Sequence, residues 1–298
     1  MRPDSTSHDA PFEVLRQVTL TAGLSSNGAV PIRLAENDLW RLPEGIVVRI
    51  ARAGQSAAAA REVAVTRWLA TQKVPAVRPL DLEQPVHAAG RAATFWEELP
   101  PHQSGTPADL APLLRRLHDL PPPSTVPLGL MDPFVRVAER IAAARCIGGD
   151  DRRFLTARLG ELQHAWVGLP AGQAPCVIHG DAWGGNCAVT EDGRRYLLDF
   201  ERVSLGMREW DLTSTAIAVD TFGTLSEEEY RRFCTAYGYD VRSWDGYPVM
   251  RAVRELRLVT FALQTADQNS GALQQARYRL ACVRGRRGPR PWRWEAVG

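Results

Sequence analysis

Three residues that are costly to bury stand at the edges of short apolar runs: Asp181, Asn186 and Asp199. Asp181 and Asn186 flank a four-residue loop in V-I-H-G-D-A-W-G-G-N-C-A-V, and Asp199 closes L-L-D ahead of Phe200 and Glu201. Asp192-Gly193 lies between Cys187-Ala188-Val189 and Tyr196-Leu197-Leu198, which predicts a hairpin. That hairpin returns Asp199 to the side where Asn186 begins. Oxygen ligands gathered in this way suit Mg2+, which prefers hard oxygen donors and shares them with substrate phosphates. The plainer alternative is a solvated turn with Asx caps. Such turns do not require this spacing or the apolar strands around it.

The rest of the chain must position this cluster. Phe12, Leu15, Val18 and Leu20 predict a short helix over 11–24. Three short runs, 29–35, 38–42 and 46–52, read as a meander, and 92–99 is again strand-like. Between them 56–72 reads as a helix with Ser56 as its cap. After the Pro- and Gly-containing stretch 100–107 the pattern turns helical. Leu110, Leu113, Leu114 and Leu117 share a face, with Pro112 expected to mark a restart. Asp132-Pro133 reads as cap and first turn of a helix bearing Phe134, Val137 and Ile141. Leu155, Leu159 and Leu162 mark another helix. Ser226 and Glu229 have capping-box spacing in a helix ending near Gly238. Two more helices fit 250–266 and 270–284. The expectation is an α+β fold: residues 1–98 as a small β-rich lobe and 99–298 as a larger, mainly helical lobe. Clefts between lobes are favoured ligand sites.

The H-G-D-x4-N loop followed by L-L-D-F matches the kinase pattern of a catalytic-loop Asp, a metal-binding Asn and a D-F beyond it. His179-Gly180 stands where protein kinases have His-Arg, and Glu201 where they have the glycine of D-F-G. In these departures the chain resembles the aminoglycoside phosphotransferase and choline kinase branch of the protein-kinase-like superfamily. The resemblance covers about 29–215 and is strongest at 177–211. It implies Asp181 as catalytic base, taking the proton of an acceptor hydroxyl, with Asn186 and Asp199 holding Mg2+ against the phosphates of ATP. It implies that His179 shapes the loop. It also implies an adenine seat on the backbone near Glu97–Leu99, and a supporting role for the Asp211 of Trp210-Asp211-Leu212. Asp211 could equally be a plain helix cap.

Kinases grip phosphate with a strand lysine paired to a helix glutamate. The chain has 36 Lys+Arg, and only Lys73 is lysine. It follows the 56–72 helix, so it cannot take that part. The strand I-V-V-R-I-A-R offers Arg49, which points away from the face shared by Val48 and Ile50. Arg52 is the second choice. Glu62, on one helix face with Val65, Thr66 and Leu69, is the natural partner of Arg49. No G-x-G-x-x-G and no Walker A motif is present; the turn Leu34-Ala35-Glu36-Asn37 occupies the place of the phosphate-covering loop.

The net charge of +2 is too even to indicate nucleic acid or a membrane as main partner. The Arg/Trp stretch 284–294 mixes residues found at nucleic-acid contacts, but surface packing or disorder is the plainer expectation. Five cysteines without C-x2-C spacing, and no secretion signal, read as reduced thiols in a cytoplasmic protein. Residues 202–298 show no acidic excess, which argues against a polycationic acceptor. Trp183, Trp244 and Tyr247 could stack on an acceptor or pack the core. The expected function is Mg- and ATP-dependent phosphoryl transfer to a small-molecule hydroxyl, with an antibiotic as one class of acceptor. A kinase of an amino alcohol or sugar, or an inactive nucleotide-binding regulator, is the alternative.

Overall fold

The computed structural model describes residues 6–34, 37–266 and 270–297. In chain order, helix α1 (Thr6–Thr21) precedes strands β1 (Val30–Arg33), β2 (Asp38–Leu42) and β3 (Ile46–Ile50). Helix α2 (Ser56–Thr71) follows, then β4 (Val86–Ala88), β5 (Arg91–Glu97), β6 (His102–Ser104) and α3 (Pro107–His118). Helices α4 (Val137–Ala143) and α5 (Gly149–Val167) lead to β7 (Cys176–Ile178), β8 (Cys187–Thr190), β9 (Arg195–Leu197) and β10 (Ser204–Gly206). Beyond them lie α6 (Arg208–Ile217), α7 (Glu227–Tyr237), α8 (Tyr247–Thr265) and α9 (Ser270–Val283). This is the α+β class the sequence predicts. The chain forms two compact units, neither continuous in sequence. One comprises Met1–Arg116, Pro122–Leu128 and Gly184–Val203, the other Leu117–Pro121, Gly129–Trp183 and Ser204–Gly298.

The first unit is built on an antiparallel sheet of order β1-β2-β3-β5-β4. Alternation along I-V-V-R-I sends Ile46, Val48 and Ile50 to one face. There they meet Trp40, Leu42 and Phe95 of the sheet and Leu15 and Val18 of α1. Burying a side chain such as Val48 or Phe95 stabilises by roughly 1.5–3 kcal/mol. The same alternation puts Arg49 on the opposite face, in register between Leu39 and Thr94. Helix α2 packs against β5 and presents Glu62 there. Ser56 does not cap α2. Gln55 holds that position without a side-chain cap, and the Ser56 hydroxyl meets His87 Nε2 at 2.6 Å. The predicted hairpin forms as β8 and β9, and β6 adds to it in the order β6-β8-β9. Ala35 and Glu36, the centre of the turn expected to cover phosphate, lie outside the described residues.

In the second unit α4, α5, α6 and α9 pack on α8. Met250, Val253, Leu256, Val259 and Leu263 recur along the buried face of α8 at helical spacing. The capping box of α7 is present, and Gly238 ends that helix in the left-handed conformation at φ 90°. Two expected boundaries are corrected. Helix α3 runs unbroken through Pro112, because its buried leucines hold it across the missing hydrogen bond. Helix α4 starts only at Val137, since Asp132 closes an Asx turn on the Phe134 N–H at 2.8 Å and Arg136 is left-handed at φ 62°. Of the two expectations for 284–294, packing holds at its end, while 285–291 are exposed. Trp292 and Trp294 are buried and stack with centroids 5.3 Å apart, and Arg290 forks onto the buried Glu255 at 2.7 and 2.6 Å. These residues are a closing strap on the helices, and their rings are not presented to a nucleic acid.

Candidate active site

Within the first unit the two residues expected to grip phosphate are paired. Arg49 NH1 donates to Glu62 Oε2, and Arg49 NH2 donates to Glu201 Oε2 at 2.7 Å. Asp199 Oδ1 stands 4.0 Å from Arg49 NH1. The Glu62 side chain is only 6% exposed and also accepts from the Phe200 N–H at 3.3 Å. Burial pushes its carboxyl up to about 7, against the pull of Arg49. Burial likewise works against the Arg49 charge, but Glu62, Asp199 and Glu201 outweigh it and hold the guanidinium above its ordinary value. Asn37, Arg49, Arg52, Gln55, Thr94 and Glu201 line a cavity at this point.

The hairpin brings the two proposed metal residues together at its open end. The Leu198 N–H donates to the Asn186 carbonyl at 3.0 Å, so Asn186 and Asp199 leave adjacent strands. Asp199 sits in the left-handed region at φ 59°, a conformation that Asp adopts more readily than most residues. Its side chain and that of Glu201 are both partly exposed. Among the described residues no group of three or more His, Cys, Asp or Glu side chains could hold a metal by itself. Asn186 and Asp199 offer one amide oxygen and one carboxylate, and Mg2+ uses one or two carboxylates and takes its other oxygens from water and phosphate.

In the second unit the H-G-D segment is held by its backbone. Asp211 accepts from the His179 N–H at 2.6 Å and the Gly180 N–H at 2.9 Å. It is fully buried and also meets His118 Nε2 at 3.0 Å, while His118 Nδ1 meets the Tyr237 hydroxyl at 2.8 Å. Burial would raise the Asp211 carboxyl, but the His118 bond, His179 and these N–H donors outweigh it, so it lies below the usual carboxylate value. Asp211 is not the cap of α6, which is Met207; it is a fixed anion under the loop. Gly180 has φ 83°, which only glycine adopts without strain, and its carbonyl accepts from Trp210 Nε1 at 3.1 Å. Asp181 follows directly. His179 is wholly buried, consistent with a loop-shaping side chain.

Other expected residues are placed as follows. The Glu97 N–H donates to the Arg78 carbonyl at 2.9 Å, and Leu99 lies beyond the end of β5. Trp244 and Tyr247 are buried core residues, whereas Trp183 in the catalytic loop is 58% exposed. Sequence reasoning missed the contact of Glu201 with Arg49. Its signal was present: Glu201 replaces a glycine in the same chain that replaces the lysine by arginine. It also missed His118, for which a lone histidine at the end of α3 carries no local signal.

An antiparallel sheet bearing an anchored cation, and a helical part bearing the H-G-D loop, together make a protein-kinase-like fold. Residues 30–253 match the model of the phosphotransferase enzyme family, and the chain belongs to that family. No curated protein matches it. Among solved structures it is similar to a choline/ethanolamine kinase family protein from Mesorhizobium loti, with TM-score 0.64, 17% identity and 93% of each chain covered. It is similar to a spectinomycin phosphotransferase solved with ADP and spectinomycin, with TM-score 0.65, 14% identity and 95% of each chain covered. An aminoglycoside phosphotransferase from Streptomyces rimosus matches with TM-score 0.59 and 23% identity, over 83% of this chain and 97% of that one.

Proposed function

We propose that the protein transfers the γ-phosphoryl group of ATP to a hydroxyl of a small molecule. The observation that carries this reading is the meeting of Arg49, Glu62 and Asp199, drawn from three distant stretches, in a chain that also carries H-G-D-x4-N. In this reading Asp181 orients the acceptor hydroxyl and takes its proton. Asn186 and Asp199 hold Mg2+, which when bound neutralises charge on the β- and γ-phosphates. Arg49 binds the α- and β-phosphates, and Glu62 keeps its guanidinium in place. The backbone near Glu97 and Leu99 seats the adenine. Residues 1–98 thus serve the nucleotide, and 99–298 serve catalysis and the acceptor, in the cytoplasm where ATP is available.

The acceptor is a small molecule bearing a hydroxyl: an antibiotic, as for the spectinomycin-binding neighbour, or an amino alcohol or sugar. Trp183 offers such a molecule an exposed ring two residues from Asp181. ADP release measured across panels of antibiotics, amino alcohols and sugars tests the reading. Acceptor-dependent ADP release that needs Mg2+ is expected. A protein that binds no nucleotide at all would overturn it, and one that binds nucleotide but transfers to no acceptor would favour the inactive regulator.

The grip has its own test. Arg49→Lys keeps the charge and loses the fork, so ATP affinity should fall about tenfold; Arg49→Ala should lower it about a hundredfold. In a double-mutant cycle with Glu62→Gln the two effects should fail to add, because the residues act as a unit. Additive effects, or an Arg49→Ala protein with unchanged affinity, would transfer the role to Arg52.

A further inference from the structure

Two of the places where the sequence departs from the kinase pattern, arginine for lysine at 49 and glutamate for glycine at 201, are joined in one ion pair. The guanidinium presents two terminal nitrogens. NH1 is taken by Glu62 and NH2 by Glu201. A lysine would have to meet both carboxylates from one ammonium nitrogen, without the two parallel nitrogens of the fork. The two carboxylates differ in setting. Glu62 is buried and anchored by the Phe200 N–H, whereas the Glu201 side chain is 40% exposed. Arg61 NH2 holds the Glu201 carbonyl at 2.9 Å, so the backbone is tied and the side chain is the part that can move. Glu201 also borders the cavity lined by Arg49, Arg52 and Thr94, so an anion entering there approaches the guanidinium edge that Glu201 occupies.

We propose that Glu201 occupies the place of a nucleotide phosphate on Arg49, so that nucleotide binding exchanges one oxyanion for another. The proposal rests on the nucleotide-binding reading of this site. Glu201 is then a positioning residue that keeps the Arg49 fork aligned while empty and that competes with the incoming phosphate. Phosphate binding must break the Arg49–Glu201 contact and leave a displaced carboxylate beside Asp199, which disfavours nucleotide alone.

The test is equilibrium binding of ADP in the presence of EDTA to the whole protein. Glu201→Gln, which keeps shape and removes charge, should tighten metal-free ADP about 3- to 10-fold, the range expected for releasing a partly exposed charge-assisted contact. Glu201→Ala should tighten it to a similar extent. Glu62→Gln should not, because Glu62 backs the guanidinium from its buried side. A thermal melt of each variant confirms that the folded protein is compared. Unchanged or weaker metal-free ADP binding in both Glu201 variants, with the wild type binding normally, would overturn the exchange and leave the nucleotide site standing. Absence of ADP binding by wild type and variants alike, with or without Mg2+, would overturn both readings.

Discussion

Asp181→Ala is expected to lose about 10²–10⁴-fold in turnover while binding Mg-ATP as the wild type does. The reason lies in where each job is done. Phosphate contacts are assigned to Arg49 and to the oxygens of Asn186 and Asp199, so removing the Asp181 carboxylate should leave nucleotide affinity in place. What is lost is the group that orients the acceptor hydroxyl and removes its proton. Asp181→Asn, which keeps the volume, should be impaired to a similar degree. Single-turnover phosphoryl transfer to the true acceptor, run beside nucleotide calorimetry, separates the two effects. Near-wild-type turnover in either variant would mean that the base is elsewhere.

The second large effect is expected at Asp211. Its carboxylate takes the N–H groups of His179 and Gly180 and the ring of His118 with no exposure to solvent. Asp211→Ala would leave those donors buried without an acceptor and should destabilise the protein by about 3–5 kcal/mol. Asp211→Asn is milder, since its oxygen can still accept from part of the set, and it tests positioning. At a temperature where the variant is fully folded, its kcat should fall more than its KM for ATP changes. A variant with lowered melting temperature but unchanged kcat would reduce Asp211 to a purely structural role. The pH dependence has a definite sign. The native carboxyl is held below its ordinary value of 3.8, so its stabilisation is present above that value and is lost as pH falls through the native one. Asp211→Asn should therefore lose this part of the acid sensitivity of unfolding.

The sequence made much of this legible because the chemistry sits on strongly patterned segments. Alternation around Arg49 fixed its face, helical spacing fixed the inward side of Glu62, and Asp192-Gly193 fixed the hairpin that carries Asp199 back to Asn186. Each of these is a local rule with a period of two or of 3.6 residues, or a turn chemistry. What escaped was set by packing between distant segments. Pro112 looked like a helix break because its missing N–H is a local signal, whereas the packing that holds the helix across it is not. Ser56 looked like a cap because nothing local shows that His87 takes its hydroxyl. The tail left packing and disorder open because the partners of its two buried tryptophans and of Arg290 lie far away in sequence. His118 belongs to the same class, being defined by the partners it meets across the second unit.

The glycines around the H-G-D loop carry an evolutionary consequence. A Cβ at Gly184 would lie 2.5 Å from the Gly105 carbonyl oxygen, and one at Gly105 would lie 2.7 Å from Cys187 Sγ. Both distances are below what real side chains tolerate, so neither position takes a side chain unless its neighbour shifts. A descendant that acquires a side chain at 184 must first have remodelled the stretch after β6. Ala182 is closed to enlargement for a different reason, since it is buried. Trp183, by contrast, is exposed, so inheritance can vary there at little cost to the fold. Divergence of acceptor range among descendants of this chain should accordingly be recorded at 183 while 182 and 184 stay small.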